Sequence, residues 1–135
     1  MTVILDASVA IGWIAPTQTG AASRTLRASG ADFAAPWVFA VEVRNGLVRL
    51  ERRRLADPVA VDAGLAAIHA EVDVKAEPTA QEFARIYTLA RAERLSFFDA
   101  AYLDLAMTLG AEIATCDAAL LAAAARRGVQ GRDLR

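Results

Sequence analysis

An α/β sandwich built on a short parallel sheet is predicted by three features of the chain. Short, branched apolar runs such as Val3–Leu5 have the length and character of strands buried on both faces. These runs alternate with longer stretches of helical spacing, and that alternation argues for successive strand–helix units around a parallel sheet. No repeat, low-complexity linker or shift in composition divides the 135 residues, so residues 1–135 are predicted to form a single domain. That length supports one real core and is short for two.

Each element has its own signal. Val3–Leu5 is the first strand. Ala7–Ile14 reads as a helix stopped at Pro16, and Thr19–Ala28 as an amphipathic helix ended by Gly30. Asp32–Ala35 is a short strand closed by Pro36. Trp37–Arg54 is a long helix whose Phe39, Val43, Leu47 and Leu50 recur at helical spacing and form a core stripe. Asp57 followed by Pro58 is an N-cap with proline at the first helical position, opening a helix to about Ala70. Val72–Val74 is a weak strand, and Pro78 starts a helix running to about Glu93. Ser96 caps a helix over Phe97–Leu109. Glu112–Thr115 is a late strand, Ala118–Arg127 a last helix ended by Gly128, and Val129 begins a short edge strand.

Composition narrows the function classes. Hydrophobic residues make up 56% of the chain, and much of that is alanine, which points to helices rather than to a sticky surface. No apolar run reaches the roughly 18 uncharged residues of a membrane span. The N-terminus lacks the basic start and small-residue cleavage site of a signal peptide. One cysteine, Cys116, cannot form an internal disulfide, so the expected compartment is cytoplasmic. The net charge of −1 does not advertise a polyanion partner. Lys75 is the only lysine; the rest of the basic side is arginine, through the preference of a GC-rich genome or for its forked contacts to carboxylate and phosphate.

Four acids stand out by their surroundings. Asp6 is the only charged side chain before Arg24 and sits just past the end of the first strand. Asp117 sits just past the late strand, so both are placed where open parallel sheets bind ligands. Asp99 opens a helix leading into that strand, and Glu42 lies one turn into the long helix beside its apolar stripe. Each has a structural alternative. Asp6 and Asp117 could be N-caps, Ser96 and Asp99 fit a capping box, and Glu42 could be solvated or pair with Arg49. Taken together, four carboxylates in apolar stretches, with Arg44 as the one basic neighbour within two residues, are costly unless a cation sits among them. A hard divalent ion with oxygen ligands is the natural partner.

The stretches VILDASVAIGWI, VEVRNGL, SFFDAAYLDLA and ATCDAAL, in this order and on these elements, resemble the PIN domain, and specifically the small VapC-type toxins of bacterial toxin–antitoxin pairs. The resemblance runs from residue 2 to about 133. It implies a PIN-like three-layer sandwich, a short parallel sheet flanked by about seven helices, and a metal-dependent endoribonuclease. The residues carried over are Asp6 with the small hydroxyl Ser8, Glu42 with Asn45, Asp99, and the Thr-x-Asp of Thr115 and Asp117. Ala118 departs from the leucine or lysine usual after the last acid. Asp6 and Asp99 are then the principal ligands of Mg2+, with Mn2+ able to substitute. Asp117 and Glu42 complete the set directly or through water, and Ser8, Asn45 and Thr115 orient carboxylates. A metal-activated water is the nucleophile. The lone histidine, His69, cannot supply the paired acid and base of a metal-independent ribonuclease, and Cys116 reads as a small buried thiol. A receiver domain would need an acidic pair near Asp6, and a haloacid-dehalogenase phosphatase an Asp where Ser8 stands.

The same resemblance implies an RNA substrate, a homodimer and a VapB-type antitoxin, with no membrane role. A groove flanked by Trp13, Ile14, Trp37 and Phe39 is expected to take an amphipathic antitoxin segment, whose arginine could reach the acids. Arginines crowd one helix end (Arg44, Arg49, Arg52, Arg53, Arg54) and the C-terminus (Arg126, Arg127, Arg132, Arg135); either group could meet phosphate, be a solvated helix end, or meet an acidic antitoxin tail. The other readings that fit are a PIN nuclease of RNA processing without an antitoxin, and a non-catalytic PIN-like binding module.

Overall fold

Val3, Ile4 and Leu5 are sealed from solvent, and the strand they form is the middle of the sheet. β1 (Thr2–Leu5) pairs on one side with β2 (Asp32–Ala35), which pairs with β3 (Val72–Val74). On its other side β1 pairs with β4 (Glu112–Thr115), which pairs with β5 (Gly131–Asp133). All pairings are parallel, and the spatial order is β3-β2-β1-β4-β5. The computed structural model describes residues 1–15 and 20–135. Pro16 and Thr19, expected to stop one helix and open the next, lie outside the described residues.

Among the described residues the helices are α1 (Ala7–Ile14), α2 (Ala21–Arg27), α3 (Val38–Arg52), α4 (Pro58–Glu71), α5 (Ala80–Glu93), α6 (Phe97–Leu109) and α7 (Ala118–Arg126). The expected α/β fold with seven helices and a parallel sheet is the fold observed. Alanine does much of the core packing. Ala100, Ala101 and Ala106 on α6 and Ala123 and Ala124 on α7 are buried, and such short side chains let helices approach closely. The α3 stripe of Phe39, Val43, Leu47 and Leu50 is buried as the spacing predicts. Gly46 faces Ile11 where α1 packs on α3, and a Cβ added there would make the Ile11 terminal methyl shift.

The differences from the expected boundaries have local causes. α5 starts after Thr79 rather than at Pro78, because Thr79 is extended and forms a reciprocal capping box with Glu82. β5 begins at Gly131 rather than Val129, because the Val129 N–H turns back to the Ala124 carbonyl (2.8 Å) and closes α7. The expected groove residues are also corrected. Trp13, Ile14 and Phe39 belong to the core. Trp13 packs edge-on against Phe33, lies under the Arg27 guanidinium and donates its indole N–H to Ser23. Trp37 packs on Phe83, which stacks on Phe97. The apolar side chains left open include Val41, Val48, Leu55 and Val59. No helix among the described residues is long and apolar enough to cross a membrane.

Candidate active site

The chain runs outward from β1 to β2 and β3, then returns to lay β4 on the other side of β1. The carboxyl ends of β1 and β4 therefore flank the point where strand order reverses, the place where open parallel sheets form a ligand crevice. Asp6 follows β1 directly, its N–H bonded to the Ala114 carbonyl of β4 at 3.0 Å. Asp117 lies two residues past the end of β4. α3 leads away from β2 and carries Glu42; α6 leads towards β4 and carries Asp99 in its first turn. The four acids, with Ser8 and Asn45, line one cavity of about 570 Å³ that Ile11, Arg49 and Cys116 complete. A cavity of similar size (about 620 Å³) at Met1, Met107, Glu112 and Arg127 holds no such gathering of acids, so chemistry rather than volume distinguishes the two.

Asp6 is 6% exposed. It holds the N-cap position of α1, yet its side chain makes no cap bond. Instead the hydroxyls of Ser8 (2.9 Å) and Thr115 (2.6 Å) both donate to its Oδ2, leaving Oδ1 without a side-chain donor. Burial pushes the Asp6 carboxyl above its usual range, the two hydroxyls pull it back, and the Asp117 charge adds to the rise. Thr115, fully buried, also accepts the Asp117 N–H at 3.0 Å. One hydroxyl thus ties the first acid to the last. Asp117 does cap α7, its Oδ1 accepting from Ala119 and Leu120, so the structural reading of this acid holds alongside its place in the cavity.

Ser96 accepts the Asp99 N–H at 3.1 Å and caps α6. Burial first, then the charges of Asp117 and Asp6, raise Asp99 to about 6. Glu42 rises to about 7, chiefly through burial and further through Asp6 and Asp99. It forms no ion pair with Arg49. Its Oε1 is buried without a hydrogen-bond partner.

Tyr102 was not singled out from the sequence. It is fully buried on α6, one turn on from Asp99, and its hydroxyl is also unpartnered. The hydroxyl is near enough to Glu42 to lower that carboxyl's pKa, although neither group completes a bond of good geometry. Burial first, then the facing acids, push the phenol itself upward. The three-residue step from Asp99 was the available signal, since it places both on one helix face. Cys116 is half-buried at the cavity wall rather than sealed on a strand. His69 is exposed on α4 and accepts from Arg44 at 2.6 Å. The C-terminal arginines are largely paired: Arg126 and Arg127 with Glu93, Arg132 with Glu112, Arg135 with Asp133.

No group of three His, Cys, Asp or Glu side chains among the described residues is drawn into a formed metal site. The residues nevertheless fit a divalent cation. Carboxyls whose burial and mutual charge raise their pKa values, with a buried oxygen left unpartnered, are stabilised by positive charge and oxygen coordination.

Thr115→Val should cost about 1–3 kcal/mol of stability, since it leaves the Asp117 N–H unpaired and strips Asp6 of its shorter hydrogen bond. The urea midpoint at pH 8 reads this directly; a midpoint equal to that of the parent would contradict the linking role of Thr115.

Comparison with known proteins bears on the family and the fold. A family model described as PIN domain matches residues 3–126. Among solved structures, PAE2754 from Pyrobaculum aerophilum is 21% identical, with a TM-score of 0.71 over 97% of this chain and 89% of that one. FitAcB from Neisseria gonorrhoeae is 18% identical, with a TM-score of 0.62 over 97% and 96%. The PilT N-terminus domain protein SSO1118 from Sulfolobus solfataricus is 12% identical, with a TM-score of 0.56 over 98% and 87%. At these identities the likeness is one of fold. No curated protein matches the chain.

Proposed function

From the premise that this chain belongs to the PIN domain family, whose members are generally metal-using nucleases, we propose that it is a Mg2+-dependent endoribonuclease and the toxin of a VapBC-type pair. The observation that carries the catalytic part is the gathering of Asp6, Glu42, Asp99 and Asp117 in one cavity at the carboxyl edge of the sheet. In this reading Asp6 and Asp99 hold Mg2+, or Mn2+ in its place, with Asp117 and Glu42 acting directly or through water. The four acids need not close into a tight trio, because Mg2+ keeps several waters and takes one or two carboxylates.

When bound, the cation neutralises phosphate charge and lowers the pKa of an attacking water. The chain's own residues do the rest. Ser8 and Thr115 hold Asp6 Oδ2 in place and leave Oδ1 to turn towards the cavity. Asp117 is fixed by its own cap bonds. Glu42 faces the same cavity, where a bound cation would favour its ionised form. Asn45 is positioned to orient Glu42 or the substrate from the next turn of α3.

The toxin part rests on the likeness of the four motifs to VapC-type proteins, which also suggests a homodimer and a VapB-type antitoxin. With Trp13 and Phe39 in the core, an apolar antitoxin segment would meet Val41, Val48, Leu55 or Val59. The test is to co-express the chain with the small gene upstream of it and assay cleavage of RNA by the complex and by the free chain. Mg2+-dependent cleavage by the free chain, suppressed in the complex, supports both parts. Cleavage indifferent to that neighbour leaves a PIN nuclease of RNA processing, and no cleavage by the free chain overturns the catalytic part.

A further inference from the structure

The cavity is acidic, the protein carries a net charge of −1, and its substrate in the reading above is a polyanion. Something positive must meet the phosphates near the acids, and the structure narrows the candidates. The C-terminal arginines are held by Glu93, Glu112 and Asp133. Arg44 donates to the Ala40 carbonyl and to His69. Arg52, Arg53 and Arg54 stand beyond the cavity wall. Arg49 makes no ion pair among the described residues, is exposed, and is the one cation lining the cavity.

Its position on α3 adds a direction. Glu42, Asn45 and Arg49 follow one another at steps of three and four, so they form a polar row along one face of the helix. The rise of a helix puts Arg49 roughly 10 Å along the axis from Glu42, which sets its guanidinium beside the acids rather than among them. Glu42 and Arg49 do not neutralise each other, so the guanidinium keeps its charge and its forked donors for an external anion.

Resting on the nuclease reading, we infer that Arg49 is the substrate-positioning residue that holds the RNA phosphate flanking the scissile one, with the Glu42–Asn45–Arg49 row setting the direction of the strand. The experiment measures binding of a short fluorescein-labelled single-stranded RNA of mixed sequence, by anisotropy in Mg2+ buffer across a salt series. The protein is the full chain carrying Asp99→Asn to suppress cleavage. Adding Arg49→Ala should weaken binding about tenfold. It should also reduce the slope of log affinity against log salt by about 0.7, the value for one phosphate contact on a single strand. Arg49→Lys should restore most of the slope, because the slope counts charge. Arg91→Ala serves as the control, since Arg91 lies over Tyr87 outside the cavity. Unchanged affinity and slope for Arg49→Ala, or an equal loss for Arg91→Ala, overturns the inference. So does an Arg49→Ala variant that binds RNA normally but no longer forms a complex with the protein of the neighbouring gene, since Arg49 would then serve that partner's carboxylates. If the chain without Asp99→Asn cleaves no RNA, the nuclease reading itself fails, and that outcome is separate from the Arg49 result.

Discussion

Asp6→Asn and Asp99→Asn should each lower Mg2+-dependent RNA cleavage by roughly 10²–10³-fold or more, with the far-UV spectrum and oligomeric state unchanged. Each substitution keeps the side chain's shape and removes one ligand charge. Loss of an outer partner to a metal ligand already costs roughly 10–100-fold, and loss of a principal ligand should cost more. Asp6→Asn keeps an acceptor oxygen for Ser8 and Thr115, so its loss of activity would be a loss of charge at the cavity rather than of packing. Either variant cleaving RNA at the parent rate would show that the acid in question is not a ligand.

The second large effect is on stability. A carboxyl whose pKa is raised in the folded state binds its proton more tightly there than in the unfolded chain. Its contribution is therefore fully present below the unfolded pKa and is lost as pH rises through the folded one. For Glu42 the window runs from 4.5 to about 7, and for Asp99 from 3.8 to about 6. Metal-free protein should thus lose stability on going from pH 5 to pH 8. Both groups are partly open to solvent, so we discount the full shifts to on the order of 2 kcal/mol together. Divalent cation should return it: at about 100 times its Kd a ligand adds about 2.7 kcal/mol. That corresponds to a Tm rise of several degrees for a domain of this size. Because bound carboxylates must be ionised, the gain should grow from pH 5 to pH 8. Asp6→Asn should raise the metal-free Tm at pH 8 and shrink the response to Mn2+. A Tm at pH 8 unmoved by millimolar Mn2+ would be the contrary result.

Most of this arrangement was legible in the chain because strong local signals agree with the fold. Asp57-Pro58, Ser96 and Gly128 mark helix ends where the structure has them, and the Phe39–Leu50 stripe faces the core. The parallel sheet followed from alternation, and from it the expectation that Asp6 and Asp117 meet at one edge. Other features depend on contacts between elements, which spacing does not encode. Trp13 reads as surplus surface until Phe33 and Ser23 are seen to enclose it. Tyr102 matters to the site only because Glu42 faces it from another helix. The C-terminal arginines are open to phosphate, to solvent or to an acidic partner until Glu93, Glu112 and Asp133 are found beside them. Conversely, Arg49 was one arginine among the nine of two clusters, and only the folded cavity shows that it borders the acids.

In the proposed function Asp6, Glu42, Asp99 and Asp117 together hold a divalent cation at the carboxyl edge of the sheet. Anomalous diffraction from crystals grown with Mn2+ tests it most directly. A peak is expected inside the cavity, within coordinating distance of carboxylate oxygens from Asp6 and Asp99, and it should be lost in Asp99→Asn crystals grown in the same way. A cavity without such a peak at saturating Mn2+, or a peak bound only by residues outside this group of acids, would contradict it.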